Sequence, residues 1–113
     1  MPQYMLLLYD NQVDWQKVSP EEMQKMMQRY GDWRRSLQSR ITMGQKLKDG
    51  EGRVMRTENS KPVVKDGPFA EAKEVMGGFF VIEAEDYDQA VEVAKTCPHM
   101  DFGSIEVRQI ERT

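Results

Sequence analysis

The chain has 113 residues, 31% charged and 39% hydrophobic, with a formal net charge of −3 and a pI near 5.2. A single domain spanning residues 1–113 is long enough to bury a core without staples, and one cysteine and one histidine exclude internal disulfides and histidine-rich metal cages. The acidic balance argues against a nucleic-acid partner, and no apolar stretch approaches the roughly 20 residues of a membrane span.

Gln3–Tyr9 reads as a strand that is apolar on both faces, with Tyr4, Leu6 and Leu8 on one and Met5, Leu7 and Tyr9 on the other. Ser19-Pro20-Glu21-Glu22 is a helix start: Ser19 caps, Pro20 suits the first turn and Glu22 completes a capping box. Met23, Met26, Met27, Tyr30, Trp33 and Leu37 then recur at the helical period, which predicts a helix over 19–38 with these residues buried. Gly44 is the expected stop beyond its end. Arg53–Glu58 and Pro62–Lys65 flank the Asn59-Ser60 turn and predict a hairpin. Asp66–Met76 is expected to be a loop, because Asp-Gly-Pro punctuates strongly.

Gly77–Ala84 is the second strongly apolar strand. Asp86 caps a second helix, with Gln89 three residues on and a stripe of Tyr87, Ala90, Val91 and Ala94. Ser104–Ile110 alternates, placing Ile105 and Val107 on one face and Glu106, Arg108 and Ile110 on the other. The order is β-α-β-β-β-α-β, or β-α-β-β-α-β with the hairpin peripheral. That is the ferredoxin-like split β-α-β fold of the α+β class: an antiparallel sheet with two helices on one face. Two helices leave the other face of two doubly apolar strands uncovered. A second copy of the same sheet is the expected cover, so the chain is expected to be a homodimer.

The segment Asp66–Glu74 is the most unusual in the chain. One reading makes it a pocket wall, with Asp66 as acid/base and Phe69 as an apolar lid. The other makes it a tight turn in which Asp66 bonds its own backbone. Arg108 is open to several readings as well: an anchor for a carboxylate or phosphate, a structural ion pair to a neighbouring acid, or an exposed charge on an edge strand. Cys97-Pro98-His99 could pair a thiol with an imidazole, but the expected reading is a helix-end loop with Cys97 buried. No phosphate loop, dinucleotide fingerprint or zinc helix is present, so no cofactor and no metal are expected. Gly77–Ile82 faintly echoes an RNA-recognition strand, yet Phe79 and Phe80 are adjacent and point to opposite faces, which ranks RNA binding last.

Asp66-Gly67-Pro68-Phe69 followed by Ala70-Glu71-Ala72-Lys73-Glu74 resembles the signature of DGPF-domain proteins, a branch of the YCII-related family. The resemblance runs through Tyr4-Met5-Leu6-Leu7, Ser19-Pro20-Glu21, Gly77-Gly78-Phe79-Phe80, Asp88-Gln89-Ala90 and Ile105-Glu106-Val107-Arg108. It implies a dimeric α+β barrel in which two ferredoxin-like sheets face each other. Some members look like enzymes with a His–Asp pair in the cleft, and one relative removes chloride from a chlorinated hydroquinone. DGPF proteins are also associated with extracytoplasmic-function sigma factors. The family's catalytic histidine lies near the first strand, whereas this chain has no histidine before His99.

These readings lead to a small-molecule-binding protein, with or without catalysis, whose cleft lies near the Asp66–Glu74 loop. The candidate residues are Asp66 for catalysis and Tyr9, Asp10, Gly67, Pro68, Phe69 and Arg108 for the ligand. A regulatory or interaction protein of the sigma-factor-associated type is the alternative. The N-terminus has no basic region or cleavage site of a signal peptide, so a cytoplasmic, non-membrane protein is expected.

Overall fold

The computed structural model describes residues 1–11, 17–67 and 74–112. Pro68 and Phe69 therefore lie outside the described residues. The element order is β1 (Gln3–Asn11), α1 (Pro20–Ser36), β2 (Ile41–Lys46), β3 (Arg53–Glu58), β4 (Lys61–Asp66), β5 (Glu74–Glu83), α2 (Tyr87–Lys95), a 3-10 turn (Pro98–Asp101) and β6 (Gly103–Gln109). The main sheet runs β2-β5-β1-β6 with every neighbouring pair antiparallel, and β3–β4 forms a separate two-stranded hairpin.

The two strands that are apolar on both faces, β1 and β5, take the two central positions, as burial requires. Tyr4, Leu6 and Leu8 of β1 point into a core with Phe80, Ile82 and Trp33. Ala84, Ala90, Val93, Ala94 and Cys97 complete it from the β5–α2 side. Both helices lie on this face. Trp33 joins them, because its Nε1–H donates to Thr96 Oγ1 at 2.8 Å while its ring meets Phe80 edge-on at 5.0 Å. Met5, Leu7 and Tyr9 face the other way and are only half-buried, since no helix reaches them.

The helix starts form as expected: Ser19 Oγ accepts from the Glu22 N–H at 3.1 Å and Asp86 Oδ1 from the Gln89 N–H at 2.9 Å. Several expectations need correction. Met27 is 68% exposed, because residues 23, 26, 30 and 33 already fill the stripe that meets the sheet. On α2, Val93 rather than Val91 is buried, and Tyr87 packs edge-on to Tyr4 while remaining 48% exposed.

Gly44 does not stop a helix. It lies inside β2, where the Phe80 ring covers it so closely that a Cβ would overlap the ring. The expected 66–76 loop is shorter at both ends, because Asp66 pairs with Arg53 as the last residue of β4 and β5 already begins at Glu74. The hairpin is peripheral, and β2 supplies the strand that completes the ferredoxin-like sheet. No helix among the described residues is long and apolar enough to cross a membrane.

Candidate functional site

The open face of the sheet is apolar across most of β1 and β5 and polar along the β6 edge. The β1–β5 register sets Met5 opposite Val81 and Leu7 opposite Phe79, and the β1–β6 register sets Arg108, Glu106 and Ser104 opposite Met5, Leu7 and Tyr9. Strand alternation therefore brings Tyr9, Glu106, Arg108 and Ser104 to one face, and Glu74, which pairs with Asn11, joins them. The Tyr9 hydroxyl donates to Glu106 Oε1 at 3.3 Å, and the Ser104 hydroxyl donates to Glu74 Oε2 at 2.9 Å. Burial raises the Tyr9 hydroxyl above its ordinary value, Glu106 adds to the rise and the Arg108 charge opposes it. Arg108 is exposed and forms no ion pair among the described residues. A guanidinium and a phenol beside an apolar wall can bind an anionic group and pack a ring.

Asp10 points to the opposite face. Here β5 carries one extra residue, Gly77, against the Leu8–Tyr9 step of β1, and this bulge removes a side chain where the Asp10 carboxylate lies. A Cβ on Gly77 would overlap that carboxylate. His99 approaches from the 3-10 turn. Its ring is buried, with Nε2 2.9 Å from the Tyr9 carbonyl oxygen and 3.6 Å from Asp10 Oδ1. A carbonyl only accepts, so Nε2 carries the proton and is committed to the backbone. Cys97 beside it stays a thiol, because burial pushes it up to about 11 even though the His99 backbone N–H pulls it down.

Burial also lifts the Asp10 carboxyl above its ordinary 3.8, with Asp49 raising it further and His99 and Lys46 opposing. The native value thus exceeds the unfolded one, so between the two the native state holds the extra proton. Stability from this group is present below the unfolded value and is lost as pH rises through the native one. Asp10→Asn is expected to flatten that fall, giving a variant at least as stable as wild type at neutral pH. Urea denaturation across the acidic range checks this, and an unchanged slope in the variant would contradict it.

Of the candidates read from the sequence, the fold brings Tyr9 and Arg108 together and turns Asp10 to the helix side. Asp66 stands on the hairpin, with a side chain 91% exposed and its Oδ1 3.3 Å from Arg53 Nη1. Gly67 follows at the hairpin base, where its N–H donates to the Gly52 carbonyl at 3.0 Å. The contact between Asp10 and His99 was not foreseen. The Gly77-Gly78 pair was its one available signal, since a glycine in a strand marks a bulge or a close approach. Among the described residues no group of three or more metal-binding side chains converges.

A four-stranded antiparallel sheet with two helices on one face and a polar cluster on its bare face defines a ferredoxin-like α+β protein. The profile of the YCII-related domain matches residues 2–113, and the chain belongs to that family. An uncharacterized protein of Rhizobium meliloti (strain 1021) is 36% identical over 59 residues, covering 50% of this chain and 48% of that one. The chain thus spans about half the length of this curated relative. A solved structure of 5-chloro-2-hydroxyhydroquinone dehydrochlorinase from Burkholderia phenoliruptrix AC1100, in complex with 2,5-dihydroxybenzoquinone, is similar over 98% of this chain and 95% of that chain. The two share 16% identity with a TM-score of 0.49.

Proposed function

We propose that the protein is a homodimer that binds a small anionic aromatic molecule between two facing sheets. The observation that carries this reading is Arg108, an exposed guanidinium that shares the open face with Tyr9, Glu106 and Ser104, acts on the Tyr9 hydroxyl through its charge and has no ion pair among the described residues. Facing sheets would enclose that face, and an enclosed guanidinium requires an anion. Met5, Leu7 and Phe79 supply the wall for a ring, and Tyr9 with Glu106 supplies polar contacts at its rim. The chain that leaves the hairpin at Asp66 returns at Glu74, inside this cluster. We assign Asp66 and Gly67 to the approach to the cleft on that connectivity. An interface of this kind buries on the order of 2,000 Å².

Benzoate and 4-hydroxybenzoate are suitable probes, with phenol as the uncharged control. Saturable thermal stabilisation by the carboxylates is expected, growing with concentration as binding linkage requires. Arg108→Leu should weaken carboxylate binding roughly ten- to a hundredfold, the size of a charged hydrogen bond of about 1.5–3 kcal/mol. Phenol binding should remain. Equal carboxylate affinity in wild type and Arg108→Leu would overturn this reading, as would a wild type that stays monomeric at high micromolar concentration.

A further inference from the structure

Among the described residues, the β3–β4 hairpin belongs to no larger sheet and packs on no helix. Two strands alone are marginal in water and need a third strand or a packed face. This hairpin belongs to neither the main sheet nor the core. On one of its faces Met55 and Val64 are directly opposed across the strands, yet they are 65% and 54% exposed. The molecule is correspondingly spread, with principal extents of 48 × 43 × 18 Å and a radius of gyration of 16.1 Å. A compact chain of this length would have about 13 Å.

Charge indicates what the hairpin fits. Residues 53–66 carry Arg53, Arg56, Lys61 and Lys65 against Glu58 and Asp66, a surplus of two positive charges. The whole chain is at −3, which leaves the rest at −5. The hairpin is therefore complementary in net charge to the rest of this same chain, and among the described residues of one copy its apolar pair remains exposed.

We propose that the β3–β4 hairpin is an arm that packs Met55 and Val64 against the acidic body of a second copy and so clasps the homodimer. This rests on the dimer of the preceding reading and adds a second contact region to it. Cross-strand apolar pairs stabilise a hairpin only when something covers them, and the partner's surface would do so. The arm's positive charge would steer and hold it on that surface, which makes the contact sensitive to salt.

The test uses the full chain and two variants. Met55→Glu/Val64→Glu removes the apolar contact, and Lys61→Glu/Lys65→Glu reverses the charge while sparing the apolar pair. All four positions are exposed in one copy, so the fold should tolerate both changes. Sedimentation equilibrium should show the dimer weakened at least tenfold in the first variant. In the second it should be weaker at low salt, and added salt should strengthen it where it weakens the wild-type dimer. Hydrogen exchange should find the hairpin amides protected in the dimer and unprotected after dilution to monomer, while β1 and β5 stay protected. A wild-type dimer unaffected by both variants would remove the arm and leave the facing-sheet dimer standing. Hairpin amides unprotected at every concentration would assign Met55 and Val64 to another partner and overturn the proposal. A wild type monomeric throughout would overturn both readings.

Discussion

Gly103→Ala is expected to destabilise the protein by ~3 kcal/mol, enough to lower the urea midpoint sharply. A Cβ at this position would overlap the Tyr9 carbonyl oxygen and lie 3.0 Å from the carbonyl carbon and 3.2 Å from Asp10 Cα. All three atoms are backbone of β1, which is hydrogen-bonded on both sides and cannot step aside. β6 would have to peel away from the end of β1, taking the approach to His99 with it. Gly50→Ala is the natural control. Gly50 has a φ of +71° but nothing within 4 Å of a Cβ, so only the left-handed backbone is penalised, at about 1 kcal/mol. Equal losses at the two positions would show that β6 does not approach β1 this closely.

Removing the His99 ring should cost a comparable amount. His99→Ala empties a buried position and takes the donor from the Tyr9 carbonyl. The cavity and the lost bond together amount to about 3 kcal/mol. His99→Gln keeps a donor of similar reach and should recover part of the loss. Cys97 provides a second readout, because it is 2% exposed beneath the same turn and its thiol should react with a disulfide reagent much faster in His99→Ala. Unchanged stability and unchanged thiol reactivity would show that the histidine does not hold the 3-10 turn against β1.

Most of the fold could be read from local pattern, and the exceptions share a cause. β1, α1, the hairpin, β5, α2 and β6 each announce themselves by period or cap. β2 does not: Ile-Thr-Met-Gly-Gln-Lys has two large apolar residues and a glycine that looks like punctuation. It becomes a strand because β5 offers it an edge and the Phe80 ring needs the space above Gly44, both of which are non-local facts.

The site divides in the same way. Alternation alone puts Arg108 on one face with Glu106, but only the register between β1 and β6 adds Tyr9. Asp10 and His99 are far apart in sequence and meet through a bulge that periodicity does not show. Asp66 was expected in a turn because Asp-Gly-Pro so often makes one. Its pairing with Arg53 carries the strand one residue further and leaves the carboxylate in solvent.

The hydrogen bond from Gly67 N–H to the Gly52 carbonyl has a consequence for how such a chain can diversify. It places the two ends of the β3–β4 hairpin within reach of one another, outside the residues that form the core. Everything between those glycines can lengthen, shorten or change its chemistry without altering the spacing of β2 and β5, because loop closure depends on the anchor points and only weakly on what they enclose. The hairpin is in this sense a cassette on a fixed socket. Substitutions can accumulate there while the sheet and its bulge remain under their own separate constraints.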